Sequence, residues 1–172
     1  MREGQILEMR LFIAINLNNE MKDALLDLQG DMMQMGVRGN YTRPENLHLT
    51  LAFIGEYSDP DYVKEIVDQV EFEPFDVAFA GIGAFRNLWW AGIEKSDELA
   101  KLVRRLRRNL DEAGIPYDRK KFSPHITLIR RPDRQLEEVI GSPEVAKATM
   151  VVDHISLMRS DRGKQGMVYT EL

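Results

Sequence analysis

The sequence predicts an α+β protein built mainly on antiparallel sheet. Three observations predict it. Strand-like and helix-like stretches are mixed along the 172 residues, the strands are short, and neighbouring strands are joined by hairpin-length connections. No Pro/Ser-rich linker divides the chain, and its length suits one domain or two small lobes on a shared core.

The elements follow in order. Residues 10–17, RLFIAINL, are apolar enough for a buried strand. Asn18 or Asn19 caps a helix over roughly 20–35; Leu25, Leu26, Met32 and Met33 supply most of its apolar stripe, and Gly36 ends it. VRGNYTRP is a loop with a short extended piece, and Leu47 to Ile54 form the next strand. SDPDYVKEIVDQV is a second helix, capped by Ser58 or Asp59, with Pro60 in its first turn. PFDVAFAGIGAF alternates as a strand with a glycine bend, and LWWAGIE is its hairpin partner. Ser96 caps the third helix, whose inner face is Leu99, Leu102, Val103, Leu106 and Leu110 and which Gly114 closes. HITLIR is a strand, followed by a short helix near 134–140, and ATMVVDHISLMRS with GMVYTEL form a closing strand pair. Residues 1–8 precede the core pattern, which begins at Met9, and are expected to be a flexible extension to a single domain over 9–172.

Composition narrows the function. An apolar fraction of 44% and a charged fraction of 30% are those of an ordinary soluble protein. No apolar run approaches bilayer length and the first residues make no secretory signal, so a cytoplasmic protein is expected. The absence of cysteine removes disulfides, zinc–thiolate sites and cysteine nucleophiles together. The net charge of −5 argues against a whole surface made for nucleic acid. Local basic clusters at 104–108, 118–121 and 130–134 are still enough for a small phosphate-bearing ligand.

Two strands carry an unexpected residue. In LHLTLAFI, alternation puts Leu47, Leu49, Leu51 and Phe53 on one apolar face and His48, Thr50 and Ala52 on the other. In PHITLI, Ile126 and Leu128 are apolar, and His125, Thr127 and Ile129 take the opposite face. Imidazole and hydroxyl are thus about 7 Å apart along each strand. One such histidine reads as an ordinary strand residue. Two copies of H-x-T-L, each after a proline-containing turn, point to two strands confronting each other across a cleft. His154 also fits H-x-[ST]-L, but its strand has a weaker pattern and it is not expected to be catalytic.

Two imidazoles and two hydroxyls suit displacement at phosphorus. With unperturbed pKa values of about 6.5, one imidazole can be neutral and the other protonated at neutral pH. The base takes a proton from water and the acid gives one to the departing sugar oxygen. Thr50 and Thr127 can hold the non-bridging oxygens, and Arg130 or Arg131 can clamp them. Alternation places Arg130 on the back face and Arg131 on the cleft face; a strand end or bulge there would reverse the choice. G-x-S-x-G, H-E-x-x-H and Walker A patterns are all missing, and no metal or cofactor is expected.

On MRLFIAINL, PENLHLTLAFIGE, GIGAFRNLWWAGIE, FSPHITLIRR and DHISLMRSDRGKQGMVYTEL, spanning residues 9–172, the chain resembles the 2H phosphoesterases and, among them, the LigT-like RNA 2′,3′-cyclic phosphodiesterases. The resemblance implies a bilobal fold with pseudo-two-fold symmetry, two mostly antiparallel sheets lining a central cleft and helices outside. It implies metal-independent hydrolysis of RNA or nucleoside 2′,3′-cyclic phosphate to a 2′-phosphomonoester, with reverse 2′–5′ RNA ligation in some members. It implies His48 as proton donor to the leaving oxygen, His125 as the acceptor that activates water, Thr50 and Thr127 as phosphate holders, and Arg130 as the basic residue after the second motif. The near-symmetric motifs do not themselves divide donor from acceptor. The expected partners are RNA ends or nucleotides bearing the cyclic phosphate; neither a membrane nor a protein partner is expected, and the chain is read as a monomer.

Other features have plainer readings. Trp89 and Trp90 face opposite ways on a strand, so one is core and the other is free to stack on a base. Arg104, Arg105, Arg107 and Arg108 read as a solvated helix face, with an RNA track as the alternative. Phe122 is a candidate for the cleft mouth. The rival functions are a non-catalytic module binding phosphorylated RNA ends and an enzyme of the same superfamily for another small phosphodiester.

Overall fold

The computed structural model describes residues 9–139 and 144–172, so the extension expected at 1–8 lies outside the described residues. Among the described residues nine strands form two sheets, and every pairing between neighbouring strands is antiparallel. Sheet one has the order β3-β1-β8-β9, from β3 (His48–Tyr57), β1 (Met9–Asn16), β8 (Ser156–Gly163) and β9 (Gly166–Glu171). Sheet two has the order β2-β6-β5-β4-β7, from β2 (Asn40–Tyr41), β6 (His125–Arg130), β5 (Leu88–Ile93), β4 (Phe75–Phe85) and β7 (Thr149–Val152).

The two halves repeat one plan. In the first, β1 leads through helix α1 (Asn19–Gln34) to its antiparallel partner β3, which begins with a histidine. In the second, β5 leads through helix α3 (Asp97–Ala113) to its partner β6, which also begins with a histidine. Helix α2 (Pro60–Asp68) follows β3. No helix among the described residues is long and apolar enough to cross a membrane.

Local chemistry explains the helices. The side chains of Asn18, Asp59 and Ser96 accept hydrogen bonds from the backbone of Met21, Tyr62 and Leu99, capping α1, α2 and α3. α3 buries Leu99, Leu102, Val103, Leu106 and Leu110 and ends on Gly114 at φ 73°. Each of those side chains contributes about 1.5–3 kcal/mol by leaving water. In α1 the buried stripe is Met21, Ala24, Leu25, Leu28 and Met32, whereas Met33 is 53% exposed, so the expected stripe was rotated by part of a turn. The helix expected near 134–140 is a single 3-10 turn at Leu136–Glu138.

The back faces of both sheets and the three helices share one core, running from Leu11, Ile13 and Leu49 to Trp89, Ile126 and Leu106. A second, smaller cluster lies on the opposite face of sheet one, where Phe12, Ala14 and Met158 are joined by Phe53 and Tyr169. The closing segment also departs from expectation. Residues 149–152 pair with β4 in sheet two, whereas 156–163 pair with β1 and β9 in sheet one. His154 lies in the break between them, outside any strand.

Candidate active site

Both histidines owe their orientation to the turn before the strand. The Nδ1–H of His48 donates to the Asn46 carbonyl and that of His125 to the Ser123 carbonyl, each at 2.7 Å and each two residues back. A carbonyl only accepts, so these bonds place the proton of the neutral ring on Nδ1 and leave Nε2 for chemistry. Nε2 of His48 accepts from the Thr50 hydroxyl at 2.8 Å. Nε2 of His125 has no hydrogen-bond partner among the described residues. Thr127 pairs with Trp90 across the β6–β5 ladder and shares the face of His125.

The surroundings of the rings differ. His48 lies 4.9 Å from Phe12 and 5.2 Å, edge-on, from Tyr169. His125 lies 5.1 Å, edge-on, from Phe85 and 6.2 Å from Trp90. Burial holds the His48 pKa below the ordinary histidine value, and the charges of Arg130 and His125 push the same way against the Asn46 carbonyl. The strands that carry the two rings, β3 and β6, bring Cα atoms within 8 Å of each other, close enough for the charge of His125 to act on His48.

That depression has a consequence for stability. In the unfolded chain an ordinary imidazole binds its proton near pH 6.5, before the folded chain does at His48. Folded stability from this group is complete above about pH 6.5 and is lost as pH falls through the lower folded value. The urea midpoint of the wild type should fall more between about pH 7.5 and about pH 5 than that of His48→Gln, which has no ring to titrate. Parallel losses in the two proteins would contradict a buried neutral His48.

A bulge sets the direction of Arg130 and Arg131. Trp90 pairs with Thr127 but Trp89 pairs with Ile129, so Leu128 is an extra residue in β6. Ile129 is turned into the core, and Arg130 shares the cleft face opposite Leu88. The strand ends there. Arg131 adopts φ 52°, and its N–H donates to the Asn87 carbonyl at 2.7 Å. Gly39 passes so close that a Cβ would meet the carbonyl oxygens of Arg131 and Arg130 at 2.9 and 3.0 Å. β3 repeats the device. Ala14 pairs with Thr50 and Ile13 with Ala52, leaving Leu51 as the extra residue. Phe53 is therefore on the cleft face with Phe12, not on the apolar back as alternation predicts.

A family model described as the 2′-5′ RNA ligase superfamily matches residues 36–164, a span that includes both histidine strands. The chain belongs to the 2′-5′ RNA ligase superfamily. It is 32% identical to the RNA 2′,3′-cyclic phosphodiesterase of Thermotoga maritima over 95% of this chain and 93% of that protein. It is 34% identical to the RNA 2′,3′-cyclic phosphodiesterase of Thermus thermophilus, with 95% and 88% covered. The crystal structure of E. coli LigT complexed with 3′-AMP superposes with a TM-score of 0.83 at 25% identity, covering 96% of this chain and 95% of that one.

Several residues of this superfamily member escaped the sequence reading. Phe12 and Tyr169 flank His48, but each shares its strand face with a polar residue, Arg10 or Glu171, so neither strand alone marks that face as lining a site. Phe122, the candidate for the cleft mouth, is half-buried and packs against the main core. Trp89 is the core indole at 2% exposure, and Trp90 is on the cleft face. Two of the helix arginines bond neighbouring carbonyls, Arg105 that of Glu71 and Arg107 that of Lys120. His154 is exposed, and its Nδ1–H donates to Asp153 at 2.6 Å. An open pocket of about 540 Å³ against the first turn of α3 has four carboxylates, Asp76, Glu94, Asp97 and Glu98, beside Lys95, which disfavours a phosphate there.

Asn46 also went unnoticed. Its carbonyl orients His48, and its Nδ2 donates to the Met167 carbonyl at 2.9 Å, which Arg43 Nη2 also reaches at 2.6 Å. The final hairpin thereby anchors the turn that aims the imidazole. Asn46→Ala should cut kcat about ten- to hundredfold with KM little changed. The ¹⁵N shifts of His48 should then report mixed tautomers. An unaltered tautomer with an unaltered rate would show that the turn holds itself.

Proposed function

We propose that the chain hydrolyses the 2′,3′-cyclic phosphate of RNA ends or nucleosides to a 2′-phosphomonoester, using His48 and His125 as its acid and base. The observation that carries this reading is the pair of imidazoles, each fixed through Nδ1, on facing strands of one cleft. Its relatives' names point to the same reaction.

The donor role for His48 and the acceptor role for His125 follow the family pattern. His125 Nε2 takes a proton from water as the water oxygen bonds to phosphorus. The bond from phosphorus to the 3′ oxygen breaks, and that oxygen leaves with the proton of His48 Nε2. Thr50, Thr127 and Arg130 hold the non-bridging oxygens as charge gathers there. Burial favours neutral His48 in the free protein. An anionic phosphodiester between the rings favours the imidazolium, so substrate itself restores the acid. Both histidines come from one chain, so a monomer suffices. The reading places the protein in the cytoplasm, with its RNA.

The test is incubation with 2′,3′-cyclic nucleotides in EDTA, with the product identified by chromatography. A 2′-phosphate formed in the chelator is expected; a 3′-phosphate or no turnover would reject the proposal. The pH profile should be bell-shaped. Its limb requiring protonated acid should lie at lower pH in kcat/KM, which reports the free enzyme, than in kcat, which reports the complex.

A further inference from the structure

The hairpin β4–β5 ends in an exposed aromatic ring that the chemistry above does not use. Phe85 is 46% exposed, with its ring beside one of the two cleft histidines. Its ring stands edge-on to His125 at 5.1 Å and tilted to Trp90 at 5.4 Å. The aromatic neighbours of His48 in sheet one are different: Phe12 is 4% exposed, and Tyr169 is half-buried and packs edge-on against it in the same cluster. Phe85 therefore has a free face at the edge of the cleft.

The local backbone is arranged to hold that face still. Phe85 pairs with Leu88 across the turn, Leu88 pairs with Arg130, and Asn87 accepts from the Arg131 N–H. Gly83 pairs with Trp90, and a Cβ on it would be 2.2 Å from the indole. The glycine bend in this strand thus seats Trp90 against the backbone, and Trp90 in turn backs Phe85. The result is a preorganised aromatic surface beside the imidazole, in reach of whatever is attached to a phosphate held there.

We propose that Phe85, supported by Trp90 on Gly83, is the platform on which the nucleobase of the substrate stacks. This inference rests on the reading that the cleft takes a nucleotide phosphate. Stacking on a π face discriminates poorly among bases, so the platform would serve RNA ends of any sequence, with a preference for the larger purines. Phosphate binding by the histidines and base binding by Phe85 are then separable contributions to affinity.

Calorimetry on the full chain separates them. The probes are 2′-AMP and 1-O-methylribose 2-phosphate, which has the sugar and phosphate but no base. Wild type should bind 2′-AMP at least about tenfold more tightly than the base-free compound. Phe85→Ala should remove that difference while keeping the affinity for the base-free compound, and Phe85→Trp should restore it. In turnover of 2′,3′-cyclic AMP, the Phe85→Ala effect should fall on KM rather than kcat. No base-dependent gain in wild type, a gain that survives Phe85→Ala, or an equal loss for both probes would each overturn the platform. Because binding needs no reaction, a protein that shows the Phe85-dependent gain yet fails to hydrolyse the cyclic phosphate would reject the proposed activity and leave the platform standing.

Discussion

His48→Ala and His125→Ala should each reduce turnover of a 2′,3′-cyclic nucleotide by about 10²–10⁴-fold, the usual worth of one positioned proton transfer. The reason lies in the matching Nδ1 bonds. Each ring is held so that only Nε2 faces reaction, and neither Thr50 nor Thr127 can exchange protons near neutral pH in its place. The double variant should be little worse than either single one, because both groups act in one step. His154→Ala is the control, since its ring is exposed and pairs with Asp153. Steady-state rates with all four proteins, read beside melting curves, test this. A rate for His154→Ala as low as that for His125→Ala would move the site, and near-wild-type turnover by His48→Ala would remove it from the chemistry.

The second large effect should come from Arg130→Ala, with Arg131→Ala almost silent. The bulge at Leu128 turns Arg130 to the cleft, where its charge already reaches His48. A fixed cation on the transferring phosphoryl group is worth about 10²–10³-fold in kcat. Its removal also lifts one cause of the low His48 pKa, so the ring should titrate at higher pH in Arg130→Ala. Histidine resonances followed by NMR across pH check that direction. Arg131 is committed to the turn through its backbone, with φ 52° and a hydrogen bond to Asn87. Equal kinetic losses from the two variants, or an unmoved His48 titration, would refute the assignment.

Much of this arrangement was legible from residues alone, for identifiable reasons. The third helix announces itself through a serine cap, five apolar residues at helical spacing and a closing glycine, all local signals. The paired H-x-T-L segments are legible because a titrating ring in an apolar strand is rare and is repeated. What stayed hidden depends on partners distant in sequence. Leu51 and Leu128 look like ordinary members of an alternating strand, and only their pairing with β1 and β5 reveals them as extra residues. ATMVVDHISLM reads as one continuous strand, yet its two ends join different sheets, which no local pattern records. Asn46 has the look of a turn residue; its bond to Met167 spans 121 positions.

The repeated bulge makes chain length at two points a chemical variable in its own right. Excising Leu128 would leave every reactive group in the molecule, yet return the strand to strict alternation and swing the guanidinium beyond it toward the hydrophobic interior. Excising Leu51 would do the same to the aromatic ring that follows the first histidine. At these two leucines a single-codon deletion is a harsher change than any conservative replacement, because it alters phase and not composition.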